Sequence, residues 1–294
     1  MIQKKSKIDR NVKHLLYFIY KKLLVRIFIS IFSGINMLPR GKIATSEGLE
    51  KIWTNTYEHK LGDQSLFFHT PNWLTEYRAR TLLTKEPETI FWLDRIPFNS
   101  VVYDIGANIG VYSIYAAAVK RTQVLAFEPS FLNLELLFRN IQTNNLQSKI
   151  TIAPLSLSNS NQVENFYMQG GDNIWGGAHN SSGQSVTQSG KSMEDFSVSS
   201  QIAITLDSLV ETLNLPLPDY VKIDVDGIES MILQGAQKTL SKAKEILIEV
   251  DLGNTLQSAE IHNILSRLDF VRIESIDRIT LMENQIWVKK EINN

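Results

Sequence analysis

The sequence predicts an α/β fold: a doubly wound, mostly parallel sheet of seven strands with an N-terminal helical extension. Three observations predict it. From residue 101 onward, short apolar runs alternate with helical patterns. A small-residue turn, Gly106-Ala107-Asn108-Ile109-Gly110, joins the first run to the first helix. An acid, Glu128, closes the second run 24 positions after Asp104 closes the first.

Taken in order, Val101-Ile105 reads as a buried strand, Gly110-Lys120 as a helix, Gln123-Phe127 as the second strand and Phe131-Asn145 as the second helix. Ile150-Leu157 is the third strand, and Gln162-Met168, which alternates weakly, is an added one. Residues 169–200, rich in Gly, Ser and Asn, read as a long loop, the kind that in a compact domain is functional or disordered. Periodicity resumes with a helix at Leu206-Leu213, a strand at Tyr220-Val225, a helix at Ile228-Leu240 and a strand at Ile246-Asp251. A helix at Ala259-Leu268 and strands near Val271-Ile276 and Ile286-Lys289 complete a Rossmann-like order. The predicted organisation is a basic helical extension over 1–45, a connecting segment over 46–100 and the sheet domain over 101–294.

Charge is unevenly spread. Residues 1–42 hold ten Lys or Arg and one acid, leaving 20 bases against 30 acids in the remainder. So acidic a body is a poor partner for phosphate backbones, which argues against nucleic acid. No cysteine is present, so disulfides, thiolate metal sites and cysteine nucleophiles are excluded, and the composition suits the cytoplasm. The five histidines show no spacing suited to a zinc pair.

In the basic head, Lys21, Lys22 and Arg26 interrupt the apolar stretch from Leu15 to Phe32, so it offers no uncharged span for crossing a membrane. As a helix it places Lys22, Arg26, Ser30 and Ser33 in one stripe, with Leu16, Ile19, Val25, Phe28 and Phe32 among the residues of the apolar side. Such a helix suits peripheral contact of residues 1–40 with an anionic membrane, or packing on protein. A cleaved secretory signal is a third reading, but its apolar region would be broken by charge and no small-residue cleavage site follows.

The turn is built for a ligand. Glycine lets a ligand approach the backbone and permits tight-turn dihedrals at Gly106 and Gly110. An acid in the position of Glu128 accepts both hydroxyls of a ribose, the common device of adenosine-containing cofactor sites. A nicotinamide dinucleotide wants a second glycine where Asn108 stands. Asp104, just before the turn, suits a cationic amino-acid tail better than a diphosphate. The cofactor so described is S-adenosylmethionine; a nicotinamide-dependent oxidoreductase and a non-catalytic binding module are the alternatives.

Three segments together resemble the FkbM-type methyltransferases, class I enzymes that methylate, usually, a hydroxyl oxygen. They are Val101 through Ser113 followed by Phe127-Glu128-Pro129, then Thr205-Leu206-Asp207-Ser208-Leu209, then Tyr220 through Glu229 running on to Leu233-Gln234-Gly235-Ala236 and Ile248-Glu249-Val250. The lead-in Arg78-Ala79-Arg80 and Lys85-Glu86-Pro87-Glu88-Thr89 is similar to that of some members. Leu157-Ser158-Asn159 replaces the Ser-Asp often found after the third strand, and Asp226 stands where Glu is usual. The resemblance implies a methyl donor held by Asp104, Gly106, Ala107, Asn108, Gly110, Glu128 and Pro129, with Ser158 on the adenine. It also implies an acceptor that is a hydroxyl-bearing sugar, glycan or small metabolite.

Lys222, Asp224 and Asp226 alternate along one strand, and Glu249 and Asp251 occupy the end of the next, so acids converge beside the cofactor. The expected general base is Asp224, its pKa raised by burial among like charges, with Lys222 or Glu229 orienting the acceptor and Glu249 nearby. Lys222 also reads as one half of a structural ion pair, and Glu229 as a helix-end acid. In a rival arrangement Asp224, Asp251 and Asn254 ligate Mg²⁺, but the favoured reading uses no metal. In the glycine-rich loop, Trp175 is expected to stack on a sugar ring, and His179 to lie in a segment that either closes over the acceptor or is a plain disordered insertion.

Overall fold

The computed structural model describes residues 20, 22–169, 174–178, 180–183, 196–273 and 282–290. The chain forms two compact units, Met1–Asn55 and Thr56–Asn294. The first contains helix α1, residues 22–36, and helix α2, Gly41–Trp53. Leu23, Leu24, Val25, Ile27, Phe28, Ile29 and Ile31 of α1 are all exposed.

The second unit opens with a hairpin of β1 (Thr56–Leu61) and β2 (Gln64–His69), then helices α3 (Trp73–Arg80) and α4 (Pro87–Arg95). Alternating elements follow: β3 (Val101–Ile105), α5 (Val111–Val119), β4 (Gln123–Phe127), α6 (Phe131–Thr143), β5 (Ile150–Ala153) and β6 (Ser156–Leu157). Next come β7 (Gln162–Gln169), β8 (Asn180–Ser182), β9 (Phe196–Ile204), α7 (Leu206–Leu213) and β10 (Tyr220–Ile223). The chain continues through α8 (Glu229–Gln234), α9 (Gln237–Leu240), β11 (Glu245–Asp251), α10 (Thr255–Arg267), β12 (Phe270–Ile273) and β13 (Met282–Lys289).

The main sheet has seven strands in the order β12-β13-β11-β10-β3-β4-β5. β13 runs antiparallel to both of its neighbours, and the pairs from β11 to β5 are parallel. Both faces are covered, which is why the central strands read as continuous apolar runs. Val102 and Ala126 face one core; Tyr103, Ile105, Leu125 and Phe127 face the other. Each fully buried aliphatic side chain there contributes roughly 1.5–3 kcal/mol. Strand order reverses between β3 and β10, which opens a crevice at their carboxyl ends.

Four features depart from the sequence reading. Residues 56–100 fold with the body, and Leu66, Phe68, Leu82, Trp92 and Leu93 enter its core. The segment Ile150-Leu157 breaks after Ala153: Pro154 has no N–H to donate, and β6 joins a second sheet of order β6-β9-β7-β8. That sheet takes β8 and β9 from the region read as loop, because the Ser and Gln of β9 obscured its alternation. The helix expected over Ile228-Leu240 divides at Gly235, where a Cβ would stand 2.2 Å from the Ser158 carbonyl oxygen.

Candidate active site

A cavity of about 330 Å³ lies at the carboxyl ends of β3, β4 and β10. The turn after β3 forms its floor. Gly106 has φ +85, and a Cβ there would meet the Asp224 carbonyl oxygen at 1.8 Å, so only glycine lets the turn lie against β10. Asn140, fully buried on α6, braces the same turn by donating to the Ile109 carbonyl at 2.8 Å. Asn108 adopts φ 52 and donates through Nδ2 to the Gly177 carbonyl at 2.9 Å. A side chain therefore stands where a dinucleotide fingerprint would have its second glycine.

Glu128, at the end of β4, is 4% exposed and lines the cavity with Pro129. Its Oε2 accepts the Asn108 N–H at 2.8 Å and its Oε1 the Ser130 N–H at 2.8 Å. Burial pushes its pKa from an ordinary 4.5 up to about 7, although these N–H groups and Asn133 hold it down in part. Beyond Glu128 the wall is apolar: Phe127, Leu155, Leu157, Phe166, Ile228 and Ile232.

The residues under the turn form a buried charge cluster that the strand register creates. Lys222 on β10 pairs directly with Asp104 on β3. Its Nζ donates to Asp224 Oδ2 at 2.9 Å, lies 3.6 Å from Asp104 Oδ1 and sits 5.4 Å from the centre of the Tyr112 ring. Burial opposes the charge on Lys222, but Asp224, Asp104 and Glu86 outweigh it and raise its pKa. For Asp224, burial acts upward, but the charge and hydrogen bond of Lys222 together with the charges of Lys85 and Arg78 outweigh it, so its carboxyl is held below the ordinary 3.8. The expectation of a raised Asp224 pKa is thus corrected: its charged neighbour is a cation. Asp104 is corrected as well. It is 2% exposed, accepts the Ser113 hydroxyl at 2.5 Å, lies 3.6 Å from Lys222 and borders neither the cavity nor the annex.

Other predicted residues fall in several places. Glu249 and Asp226 line the cavity beside Asp224. Glu229 does not; it is 2% exposed, accepts the Gly227 N–H at 3.0 Å and takes a hydrogen bond from Gln257 at 3.0 Å. Burial, with Asp226 and Asp224 nearby, raises its pKa to about 7. Its role is to fix the turn in which Asp226 (φ 58) and Gly227 (φ 110) are left-handed. Ala107 borders a small annex of about 30 Å³. Gly110, with φ +84, caps α5, and a Cβ there would press on Leu137. Ser158, expected on the adenine, is 1% exposed and lies behind the wall that Leu155, Ser156 and Leu157 form. The proposed Mg²⁺ ligands are otherwise engaged: Asp251 accepts the Gly253 N–H at 2.7 Å, Asn254 caps α10, and Asp224 holds Lys222. Among the described residues no group of three His, Asp or Glu could hold a metal.

Sequence reasoning missed a strap. Residues 174–178 cross the cavity edge and are tied down at consecutive carbonyls: Asn72 donates to Trp175 O at 2.9 Å, Arg78 Nε to Gly176 O at 2.7 Å, and Asn133 Nδ2 to Gly177 O at 3.0 Å. Asn133 Oδ1 also accepts the Gly176 N–H at 2.9 Å. The sequence signal was there, since Asn133 and Asn140 are seven residues apart on the apolar face of α6, where buried amides need partners. Trp175 does not reach the cavity; its indole donates to Glu135 at 3.2 Å and packs on the core, which corrects the sugar-stacking expectation. His179 lies outside the described residues.

Residues 104–272 match the methyltransferase FkbM domain, and the chain belongs to this family. It is 25% identical over 177 residues to the hexuronic acid methyltransferase AglP of Haloferax volcanii, covering 60% of this chain and 66% of that one. It is 26% identical over 162 residues to methyltransferase sdnD of Sordaria araneosa, covering 49% and 62%. The chain thus spans less than two thirds of the length of these curated relatives. The crystal structure of methyltransferase FkbM from Methylobacillus flagellatus KT is similar at 18% identity, with a TM-score of 0.46, over 66% of this chain and 44% of that one.

Proposed function

We propose that the chain is an S-adenosylmethionine-dependent O-methyltransferase whose acceptor is a hydroxyl-bearing sugar, glycan or small metabolite. One observation carries this reading: a single cavity joins a glycine cradle and the ribose-type acid Glu128 to a rim of three further acids, Asp224, Asp226 and Glu249. The residues fit the cofactor. Gly106 lets the turn lie against the Asp224 backbone, so that the turn's own backbone borders the cavity. Glu128 as carboxylate accepts ribose hydroxyls, and the Phe127, Leu155 and Leu157 wall suits a flat base.

When bound, the cofactor supplies an electrophilic methyl group on a sulfonium. The chain's own residues must orient the acceptor oxygen and take its proton. Asp224, held ionised by Lys222, is assigned to accept the acceptor's hydrogen bond. Glu249, which lines the same rim, is assigned the proton. Lys222 and Glu229 act through others, Lys222 by holding Asp224 and Glu229 by holding Asp226 in place. The sugar acceptor draws support from the hexuronic acid methyltransferase relative. In Glu249→Gln, cofactor binding by calorimetry should be retained while turnover on hexuronic and neutral sugars falls at least about 100-fold, the usual weight of a general base. Unchanged turnover would remove Glu249 from this role.

The first unit supports a peripheral membrane role. Helix α1 exposes aliphatic and aromatic side chains beside Lys22 and Arg26, within a segment of ten bases and one acid. No helix among the described residues is long and apolar enough to cross a membrane. Flotation of the full chain with phosphatidylserine vesicles, lost on deleting residues 1–40, is the expected result; equal flotation of both would refute it.

A further inference from the structure

Resting on the cofactor reading above, we propose that Arg78 and Lys85 form the subsite for the carboxylate of the cofactor's amino-acid tail. Neither residue belongs to the sheet or its turns. Arg78 sits in the last turn of α3 and Lys85 in the segment before α4, and both border the main cavity and the annex beside Gly106, Tyr112 and Asp224.

Charge placement is the first argument. The other ionisable groups lining the cavity are four acids, Glu128, Asp224, Asp226 and Glu249. An anion can enter such a cavity only where cations outweigh them. Lys222 cannot serve, since it lies between Asp104 and Asp224 and is 2% exposed. That leaves Arg78 and Lys85, which border both the cavity and the annex beside Gly106, Asn108 and Asp224. A ligand whose ribose meets Glu128 therefore presents its tail to the two cations, with Asp224 beside them for the tail's ammonium.

Preorganisation is the second argument. A capping box at Asn72 and Thr75 starts α3, and Ala79, next to Arg78, is fully buried. Arg78 donates Nε to the Gly176 carbonyl at 2.7 Å, which fixes the plane of the guanidinium. No hydrogen bond among the described residues takes up its terminal nitrogens, and a planar pair of N–H donors matches a carboxylate. Lys85 is paired with Glu86 at the same edge, its side chain 40% exposed. It is close enough to contribute to the depressed pKa of Asp224.

The test is binding rather than turnover. Calorimetric titrations of the full chain with S-adenosylhomocysteine and with methylthioadenosine, which lacks the tail, separate tail recognition from nucleoside recognition. Arg78→Met should weaken the first ligand about 10- to 100-fold, the span of a charge-assisted hydrogen bond, and leave the second within about twofold. Lys85→Met, which leaves the strap bond intact, should give a smaller loss of the same selectivity. Equal losses for both ligands would show that Arg78 acts only through the strap, and unchanged S-adenosylhomocysteine binding would assign the cations to an acceptor's carboxylate; either result overturns the proposal. If the unaltered chain bound neither ligand, the cofactor reading itself would fall, and this subsite with it.

Discussion

Replacing Lys222 by Met leaves one buried and one half-buried carboxylate, Asp104 and Asp224, without their cation. Lys222 and Asp104 side chains are each 3% exposed and that of Asp224 is 25% exposed, so water screens the cluster little. Breaking a buried pair by removing one partner costs about 3–5 kcal/mol. For a domain of this length, where about 1 kcal/mol moves the thermal midpoint by about 2–4 °C, the fall at pH 8 should be about 6–20 °C. The pH dependence follows from the shifts. The raised Lys222 pKa gives stability that is full below its ordinary 10.5 and lost as pH rises through the raised value. The lowered Asp224 pKa gives stability present above its ordinary 3.8 and lost as pH falls through the lowered value. In Lys222→Met the Asp224 carboxyl loses what kept it ionised and takes up a proton more readily, so the deficit should shrink at pH 5. Thermal and urea unfolding at pH 5 and pH 8 measure this, and adding Asp224→Asn should recover part of the loss. A fall below about 3 °C at pH 8, or one of equal size at both pH values, would refute the account of the cluster.

Gly106→Ala should prevent cofactor binding and lower the thermal midpoint, because a Cβ 1.8 Å from a carbonyl oxygen forces β3 and β10 apart; normal binding by that variant would contradict the cradle. The raised pKa of Glu128 means that the stability of its protonated form is full below the ordinary 4.5 and lost as pH rises through about 7. Apo-protein stability should accordingly fall between pH 5 and 8, and Glu128→Gln should flatten that slope in a series of thermal melts. Asn133→Leu removes three hydrogen bonds at the junction of strap and Glu128. Cleavage near residues 174–178 under limited proteolysis should rise at least about tenfold, as expected when buried amide partners worth about 1 kcal/mol each are lost. An unchanged cleavage rate would show that Asn133 does not hold the strap.

The parallel core was legible in the sequence because β3, β4, β10 and β11 are buried on both faces and leave unbroken apolar runs. The cradle was legible too, since Gly106 and Glu128 are set by local rules: a left-handed turn and an acid at a strand end. What the sequence hid depends on register and distant packing. That Asp104 faces Lys222 follows from a one-residue alignment of β3 with β10, which no local pattern states. Arg78 and Lys85 reach the cavity because residues 56–100 pack on the sheet, and Ser158, although it follows the lining residues Leu155, Ser156 and Leu157, is buried outside it. Of the strap's anchors, Asn72 and Asn108 bond across 103 and 69 residues with no periodic signature, while Asn133 stands on the apolar face of α6 but its partners lie 43 and 44 residues away.

The most direct test of the proposed methyl-donor site is a calorimetric titration of the full chain with S-adenosylmethionine, beside Glu128→Ala. One-to-one binding that the substitution abolishes is the predicted result. Saturation by NADH with no heat from S-adenosylmethionine, or undiminished binding by Glu128→Ala, would contradict it.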